Sequence, residues 1–264
     1  MQNKLSIKAI KTRAFLPPCE DLLSLIKESF STLKLKEKSI LVIASKVVSI
    51  WQGRCLKIDS IKNKDDLIKK ESEFYLEREK VPKGYVMLTM KENLLIPTAG
   101  IDESNAKGHF ILWPENPYKA AKKIYHFIKR NYQLNDFGII IADSHCTPLR
   151  RGTIGIAIGY YGFYPLKDYR GTKDIFGRVM KITQSNLADS IAAAAVCVMG
   201  EGAERTPLAI VEDVGFVEFK EFDPEKFNPL KIDRDDDIYA PLLKGIKWQK
   251  RGVIKKALIK RFLI

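Results

Sequence analysis

Long hydrophobic runs are missing from this 264-residue sequence. The longest apolar stretches cover residues 139–142 and 191–199, and both are far shorter than the roughly 20 residues that a membrane-spanning helix needs. Residues 1–5 pass directly into an alternating, strand-like pattern and lack the apolar core and small-residue cleavage site of a signal peptide. We therefore expect a cytoplasmic protein that does not cross a membrane.

Cysteine is scarce, and its spacing excludes the common cysteine-based sites. Cys19, Cys55, Cys146 and Cys197 form no C-x-x-C pair and match no zinc template, and a cytoplasmic location argues against disulfides. We expect three of them to be inert small hydrophobic residues. Cys146 lies beside His145 in a polar stretch, but adjacent residues on an extended chain point apart, which disfavours a Cys–His nucleophile.

Acidic residues are outnumbered, with 32 against 45 basic ones and a net charge of +13. Such a field attracts anions, which leaves two interpretations open. One is a lysine-rich solvated surface, and the other is an acidic substrate, a nucleotide or nucleic acid as partner. Basic and apolar residues are interleaved through residues 242–263, a pattern typical of an amphipathic helix that packs on its own domain or on a second subunit.

Internal repeats and low-complexity linkers are also absent. Apolar runs at residues 39–44 and 137–142 predict buried strands, and the second leads into polar residues 143–145, interpreted as a loop. Further strands are predicted at residues 5–15, 86–96 and 208–211, and helices at residues 19–33, 64–78, 117–132 and 186–199. Because strands and helices follow each other irregularly, we predict an α/β or α+β fold with mixed sheets and flanking helices.

Two polar segments carry carboxylates that suit metal binding. Asp102 and Asn105 lie in a glycine-punctuated loop, and Asp143 and Ser144 directly follow a predicted buried strand. Strand ends are where α/β proteins usually expose functional side chains, and these oxygen ligands suit Mg²⁺ or Mn²⁺ that bridges to phosphate. The alternative is that both aspartates cap turns or helices.

Two further segments are candidates for anion binding. Arg150 and Arg151 stand next to Gly152, and paired guanidinium groups match carboxylate and phosphate in bidentate geometry, although a surface charge pair explains them equally well. Residues 200–207 (GEGAERTP) are glycine-rich and follow a predicted helix, so their backbone could approach a ligand closely. They lack the spacing of a P-loop, and taken alone they are a helix end.

Seven segments, in order along nearly the whole chain, carry a family resemblance. They read SKVVSIWQGR (45–54), TAGIDESN (98–105), ILWPENP (111–117), ADSHCTPLRRGTIGIAIG (142–159), DYRGTKDIFGR (168–178), NLADSIAAAAVCVMGEG (186–202) and TPLAIVED (206–213). Together they resemble the GTP-dependent γ-glutamyl ligases that add glutamate to the deazaflavin coenzyme, factor 420, of methanogens and actinobacteria. No single segment is decisive, but seven at sensible spacing are hard to obtain by chance.

The resemblance implies a site with two divalent ions, Mg²⁺ or Mn²⁺, and a guanine nucleotide as phosphoryl donor. Asp102 and Asp143 match the family's ligands of the first metal, and Ser144 and Glu201 match those of the second. The implied nucleotide contacts are Leu16, Pro17, Ser45, Lys46, Asn105, Met199, Gly200 and Gly202. The resemblance also implies the mixed α/β fold of these ligases, an intertwined homodimer, and one catalytic unit over residues 1–264, either undivided or made of two interleaved subdomains that share a site.

The implied chemistry is amide formation through an acyl phosphate. A carboxylate does not react with amines at neutral pH, so the γ-phosphoryl group is first transferred to it; the amine of L-glutamate then attacks and phosphate leaves. Two cations between the phosphates and the acceptor would neutralise charge and align the in-line attack. Arg150 and Arg151 would hold the carboxylates of the incoming glutamate or of the acceptor tail.

Two departures from the deazaflavin ligases shift the expected acceptor. Ile50 stands where they usually have a lysine after S-K-x-V-S, and Gly155 stands where they usually have an aspartate. Both changes resemble a bacterial branch assigned to folate metabolism, which shares TPLRRG (147–152) and VMGEGAE (198–204). We therefore expect a folate-type acceptor, as in tetrahydrofolate polyglutamylation, with ATP or GTP as the nucleotide. The deazaflavin is the alternative.

Two other kinds of function stay open. A nucleic-acid-binding protein predicts a contiguous Lys/Arg stripe, exposed aromatic residues and no converging carboxylates; aromatic residues here fall mainly inside apolar patterns, which disfavours a nucleic-acid partner. A catalytically inactive relative is compatible with Ile50, but the presence of all four expected metal ligands argues against it. A short distance between Asp102 and Asp143 would favour the ligase over both.

Overall fold

The computed structural model describes residues 5–31, 33 and 35–251. Within them the strands are β1 Ser6–Ile10, β2 Ser39–Ala44, β3 Cys55–Lys57, β4 Phe74–Leu76, β5 Leu88–Lys91, β6 Leu94–Pro97, β7 His109–Ile111, β8 Phe137–Cys146, β9 Thr153–Tyr161, β10 Leu166–Asp168, β11 Gln184–Asn186, β12 Leu208–Glu212 and β13 Gln249–Lys250. The helices are α1 Leu22–Phe30, α2 Ser45–Trp51, α3 Lys64–Glu71, α4 Pro117–Tyr132, α5 Leu187–Met199 and α6 Ala240–Gly245. The predicted mixed α/β class is confirmed.

The chain divides into two compact units, each made of two separate segments. One is formed by Met1–Ser60 and Asp102–Lys231, and the other by Ile61–Ile101 and Ile232–Ile264. The candidate residues at positions 16 to 50 and 102 to 202 all belong to the first unit.

A five-stranded sheet organises the first unit, in the order β1-β12-β2-β8-β9. Strands β2 and β8 run parallel, and the other neighbouring pairs are antiparallel. In the parallel pair Ala44 lies opposite Ala142, so the residues that follow each alanine emerge side by side at one edge of the sheet. This register brings Ser45 and Asp143 together.

Burial on both faces explains why β2 and β8 read as continuous apolar runs. From Ile40 to Ile43 and from Phe137 to Ile141, every apolar side chain is withdrawn from solvent. One face packs against α5 in a core that includes Ile40, Val42, Ile140, Ala188, Ile191 and Ala195. Each such side chain contributes about 1.5–3 kcal/mol to folding, which holds the polar edge of the sheet on a rigid base.

The helices α4 and α5 begin where the sequence predicts. The side chain of Asn116 accepts a hydrogen bond from the Lys119 N–H and caps α4, and Asn186 caps α5 through the Asp189 N–H. Gly200 follows the last residue of α5 with a φ of 79°, a backbone conformation that glycine adopts without strain. The segment after α5 therefore turns sharply as it leaves the helix.

Two predicted boundaries in the first unit are wrong. Strand β1 ends at Ile10 rather than at residue 15. Residues 45–51, for which the sequence predicted no helix or strand, are the helix α2. Strand β8 continues to Cys146, so residues 143–145 lie in a strand rather than a loop, because the hairpin with β9 pairs them with residues 154–156.

The second unit contains α3, α6 and an antiparallel sheet in the order β13-β4-β5-β6. The helix predicted over residues 64–78 stops at Glu71, because Ser72 is extended and β4 follows. The single strand predicted over residues 86–96 is a hairpin of β5 and β6, whose turn has positive φ at Glu92 and Asn93.

The cysteines do not all behave as core residues. Cys19, Cys146 and Cys197 are exposed, so the expectation of inert, hydrophobic packing is wrong for Cys19 and Cys197. Cys55 is half-buried, and that burial raises the pKa of its thiol to about 11.

The carboxyl-terminal segment differs from the predicted amphipathic helix. As far as residue 251 it forms α6 and β13, and residues 252–263 of the prediction lie outside the described residues. Over the described ranges, none of the helices has both the length and the apolar character that crossing a membrane requires.

Candidate functional site

Asp143 lies at the point where β8 passes the end of β2. Its Oδ1 accepts a hydrogen bond of 2.8 Å from the hydroxyl of Ser45, the first residue of α2. Burial raises the pKa of Asp143 to about 6, and the hydrogen bonds from Ser45 and from the Ser144 N–H oppose that rise. The carboxylate is thus half-buried and oriented by a hydroxyl, and its pKa of about 6 lies below neutral pH.

Asp102 reaches the same region from the loop before β7. Its Oδ2 lies 2.7 Å from Nζ of Lys46, and its Oδ1 accepts a hydrogen bond of 2.7 Å from the Ser104 N–H. Lys46 also donates to the backbone oxygen of Ser104 at 2.7 Å. Burial raises the pKa of Asp102, but the hydrogen bond and charge of Lys46 outweigh it, so that the pKa falls below its usual value.

The two aspartates act on each other electrostatically. The charge of Asp102 raises the pKa of Asp143, and the charge of Lys46 lowers it. Both effects fall off with distance, so Asp102, Asp143 and Lys46 form one cluster. One ammonium against two carboxylates leaves a net negative site that attracts a further cation.

A second pair lies one residue further along β8. The hydroxyl of Ser144 is 2.7 Å from both carboxylate oxygens of Glu201, which follows α5. Thr153, at the start of β9, also donates to Glu201, at 3.4 Å. No role was predicted for Thr153 from the sequence, although it ends the candidate segment that contains Arg150, Arg151 and Gly152.

The segment after α5 is tied to the Asp102 loop. Nδ2 of Asn105 donates to the backbone oxygen of Gly202 at 2.8 Å. Within the segment, the Gly202 N–H donates to the carboxylate of Glu204 at 2.8 Å, and the hydroxyl of Thr206 donates to the backbone oxygen of Met199. Four of the predicted segments, around residues 45, 102, 143 and 200, therefore converge on one edge of the sheet.

Leu16 and Pro17 stand apart from these contacts. The chain just before them is joined to the segment after α5, because the Thr12 N–H donates to the backbone oxygen of Arg205 at 2.8 Å. The N–H of Leu16 is itself bound by Glu20. Within the described residues, neither Leu16 nor Pro17 has a hydrogen bond to the aspartate cluster.

Arg150 and Arg151 lie at the tip of the β8–β9 hairpin. Both are exposed, and Leu149 beside them is fully exposed with a φ of 61°. In the part of the chain that the structure describes, neither guanidinium has an ion pair with a carboxylate. The arginines are therefore available to an anionic ligand but are not joined to the aspartate cluster.

The two departures from the deazaflavin ligases are packing positions here. Ile50 is buried within α2, with 1% of its surface exposed. At Gly155 an added Cβ would lie 2.6 Å from the backbone oxygen of Ala192 and 2.6 Å from Val196, because α5 passes directly over β9. An aspartate cannot replace Gly155 without a shift of that helix.

His145 and Cys146 do not form a nucleophile pair. They are consecutive residues of β8, so their side chains point to opposite faces. Burial lowers the pKa of His145, and its Nδ1 has no hydrogen-bond partner among the described residues.

The oxygen donors fit a divalent cation that is shared with a substrate. Over the described ranges, no group of three or more His, Cys, Asp and Glu side chains forms a complete metal cage. Mg²⁺ usually takes one or two protein carboxylates and completes its shell with water and substrate phosphates. Asp102 and Asp143, whose charges interact within one cluster, match that arrangement.

Comparison with known proteins identifies the family. The sequence model of the family described as F420-0:gamma-glutamyl ligase matches residues 10–213. The chain belongs to this family. The ligase is accordingly an enzyme that forms carbon–nitrogen bonds, which confirms the resemblance seen in the seven segments. Membership of this ligase family also argues against a nucleic-acid-binding protein, and so do the converging carboxylates.

Curated relatives cover most of the ligase. It is 33% identical over 223 residues to the coenzyme F420:L-glutamate ligase of Methanopyrus kandleri. The aligned region covers 78% of this chain and 86% of the relative. It is 33% identical to the protein of the same name from Methanocaldococcus jannaschii, over 70% and 80% of the two chains. With that of Methanosarcina barkeri it shares 29% identity over 81% and 88%. These names refer to coenzyme F420, so the expected folate acceptor finds no support in them and the deazaflavin alternative fits better.

Proposed function

We propose that this ligase joins L-glutamate, through a γ-glutamyl amide bond, to a deazaflavin acceptor of the coenzyme F420 type, with GTP as phosphoryl donor. The observation that carries the proposal is the meeting of two aspartates at one edge of the sheet, Asp102 held by Lys46 and Asp143 held by Ser45. The names of the relatives from Methanopyrus kandleri and Methanocaldococcus jannaschii support the deazaflavin over a folate.

Two divalent ions, Mg²⁺ or Mn²⁺, complete the proposed site. Asp102 and Asp143 would hold one, and Ser144 and Glu201 would hold the other. When bound, the ions would neutralise the charge of the nucleotide phosphates and of the acceptor carboxylate. Lys46 adds a fixed positive charge beside Asp102, and the Ser45 hydroxyl keeps the Asp143 carboxylate in one orientation.

The nucleotide would lie along the segments that meet this cluster. Gly200 and Gly202 belong to the segment after α5, in which the carboxylate of Glu204 packs against both glycines and accepts the Gly202 N–H. Nδ2 of Asn105 donates to the backbone oxygen of Gly202. Together with these, the proposed nucleotide contacts are Leu16, Pro17, Ser45, Lys46 and Met199. ATP is the alternative donor.

The reaction proceeds in two displacements. An oxygen of the acceptor carboxylate bonds to the γ-phosphorus of the nucleotide, and the bond to the β–γ bridging oxygen breaks, which gives an acyl phosphate and a nucleoside diphosphate. The neutral amine of L-glutamate then bonds to the acyl carbon, phosphate leaves with the electron pair, and the amine proton passes to solvent. Arg150 and Arg151, exposed and without acidic partners among the described residues, would bind the acceptor's carboxylates.

A homodimer is part of the proposal. The hairpin of β10 and β11 carries a long connection, residues 169–183, on which Ile175, Phe176 and Ile182 are 91%, 89% and 87% exposed. Asp174 shapes this turn by accepting the N–H groups of Phe176 and Arg178. An ordered turn that presents large apolar side chains to water is typical of a protein–protein contact, and a second copy of the chain would cover it in an intertwined dimer with the fold of the family.

The test is a product assay with paired substrates. Purified protein is incubated with GTP or ATP, Mg²⁺ or Mn²⁺, L-glutamate, and either a deazaflavin acceptor or tetrahydrofolate. We expect a product heavier by one glutamyl residue, detected by mass spectrometry, with the deazaflavin and GTP. A product with tetrahydrofolate alone would refute the proposed acceptor. If neither acceptor gave a product and the nucleotide were not hydrolysed, the proposed ligase site would be refuted.

A further inference from the structure

The loop that carries Asp102 has a rigid base. Asp102 and Ile111 exchange two backbone hydrogen bonds, of 3.0 and 2.8 Å, and the side chain of Ala106 is buried, with 1% of its surface exposed. Asn105 lies between these anchors, exposed and with a φ of 51°, a left-handed conformation that asparagine adopts more readily than most residues. The fold therefore presents the Asn105 side chain from a fixed point.

The segment that carries Glu201 has few supports of its own. Residues 200–205 are exposed and belong to no helix or strand, so the position of Glu201 depends on a small number of hydrogen bonds. The next residue, Gly202, has both backbone groups bound by side chains. Its N–H donates to Glu204 and its oxygen accepts Nδ2 of Asn105, each at 2.8 Å. Of these two contacts, only that of Asn105 comes from a distant part of the chain, 97 positions away.

The hydrogen bond between Asn105 and Gly202 closes a ring of contacts around the proposed cation site. On one side of the ring, consecutive residues of β8 supply one ligand to each cation, and the second of them, Ser144, donates to Glu201 at 2.7 Å. On the other side, Asn105 stands three residues after Asp102 and binds the residue that follows Glu201. In order, the members of the ring are Asp102, Asn105, Gly202, Glu201, Ser144 and Asp143. The two proposed pairs of ligands are thus joined twice, once through β8 and once through Asn105.

We propose that Asn105 is a positioning residue that couples the two halves of the cation site, so that a cation held by Asp102 and Asp143 also orders the segment that carries Glu201. The inference rests on the proposed function, because that function supplies the two cations. Coupling between two binding sites is reciprocal, so a cation at the second half also favours the ordered form of the Asp102 loop. The effect of Asn105 on the nucleotide then runs through Gly202.

The chemistry of the Asn105 side chain suits this role. Its amide donates to a backbone oxygen without adding charge to a site that already contains several carboxylates. An aspartate would have the same size, but without a donor it would repel the Gly202 oxygen. A lysine could donate, but its charge would compete with the cation for the carboxylates.

The test compares two asparagines that make the same kind of contact in different places. Asn105→Gly removes the amide that binds Gly202, and glycine accepts the positive φ without strain. Asn93→Gly is the matched control, because Asn93 is also exposed, has a φ of 67° and donates Nδ2 to the backbone oxygen of Ile232 at 2.9 Å. Asn93 and Ile232 both belong to the second unit. Amide hydrogen exchange is measured on the whole protein by mass spectrometry, at labelling times from milliseconds to minutes.

Without cation, the amide hydrogens of residues 200–206 should exchange roughly fivefold faster in Asn105→Gly than in the wild type, about the effect of one lost hydrogen bond. In Asn93→Gly their exchange should match that of the wild type. Mn²⁺ should slow exchange in residues 102–108 and 200–206 of the wild type. In Glu201→Gln, which lacks the carboxylate of the second half, Mn²⁺ should still slow exchange in both segments. With Asn105→Gly added to Glu201→Gln, Mn²⁺ should slow exchange in residues 102–108 alone.

The product assay gives a second readout. The KM of Mn²⁺ should rise roughly fivefold in Asn105→Gly, for the same reason, while the KM of L-glutamate stays within about twofold. A protein that was merely less well folded would not show this difference between the two KM values.

Several results would overturn the inference. Unchanged exchange of residues 200–206 in Asn105→Gly would do so, and so would an equal change in Asn93→Gly. A higher nucleotide KM at saturating Mn²⁺, with no rise in the KM of Mn²⁺, would show that Asn105 only contacts the nucleotide. In each of these cases, amide formation by the wild type would leave the proposed function standing. If the wild type formed no amide and Mn²⁺ slowed exchange in neither segment, the proposed function would be refuted and the coupling with it.

Discussion

Nζ of Lys46, on α2, lies 2.7 Å from Oδ2 of Asp102, in the loop before β7. The same ammonium binds the backbone oxygen of Ser104, so it fixes both the charge and the position of the loop that carries the first proposed metal ligand. It also lowers the pKa of Asp143. The charge of Lys46 thus lowers the pKa of both aspartates.

Replacing Lys46 by glutamine should impair the reaction far more than the fold. We expect kcat/KM to fall at least about tenfold, or roughly 1.4 kcal/mol in the activation free energy, because the site loses its fixed positive charge. The pair is partly exposed, so the free energy of unfolding should change by less than about 1 kcal/mol. Lys46→Arg should recover part of the activity. Full activity of Lys46→Gln in steady-state assays would contradict the proposed site.

Asp143→Asn should abolish turnover and yet stabilise the protein above pH 6. Burial raises the folded-state pKa of Asp143 to about 6, so the folded protein loses stability as pH rises from the unfolded value, about 3.9, through 6. Ionising the buried Asp143 carboxyl therefore costs at most about 3 kcal/mol of folding stability. Asparagine does not ionise, and its side-chain oxygen can still accept the Ser45 hydrogen bond. Thermal unfolding at pH 4 to 8 should show a higher Tm for the variant at pH 7 and a difference that shrinks toward pH 4.

The activity itself should fall as the medium is acidified through pH 6. The proposed metal site needs Asp143 ionised, and the pKa of Asp143 is about 6.

Chelation by EDTA should remove activity at pH 7.5, and added Mg²⁺ or Mn²⁺ should restore it, because the described protein side chains do not form a complete cage of their own. Undiminished turnover after exhaustive chelation would rule out the metal-dependent mechanism.

Gly155→Ala should destabilise the ligase by about 1–3 kcal/mol, because the new Cβ would press on the backbone of α5. Gly215 is a matched control, since nothing lies within 4 Å of an added Cβ there. Denaturant titration of the two variants would measure the difference. Equal stability would mean that α5 can move aside, and an aspartate at position 155 would then become acceptable.

Phe176→Ser combined with Ile175→Ser should convert a dimer into a monomer. Both side chains are about nine-tenths exposed on the β10–β11 hairpin, and a second copy would bury them. Analytical ultracentrifugation measures the mass directly, and Phe227→Ser, which also removes an exposed aromatic ring, serves as control. A monomeric wild-type protein would refute the dimer.

Local patterns in the sequence were enough to predict the elements that are most strongly determined by nearby residues. The apolar runs of β2 and β8 and the capped helices α4 and α5 were predicted correctly, since burial and capping depend on a few neighbouring side chains. The seven ordered segments also identified the family. The choice of folate over deazaflavin rested on positions 50 and 155, which the structure shows to be packing positions.

Tertiary structure alone decided which polar residues meet. The parallel register of β2 with β8 sets Ser45 beside Asp143, and strand pairing with β9 holds Asp143 and Ser144 in an extended chain where the sequence indicated a loop. The contacts of Lys46 with Asp102 and of Ser144 with Glu201 join residues far apart in the chain. Such contacts depend on how sheets and helices pack, and no local pattern of residues specifies that packing.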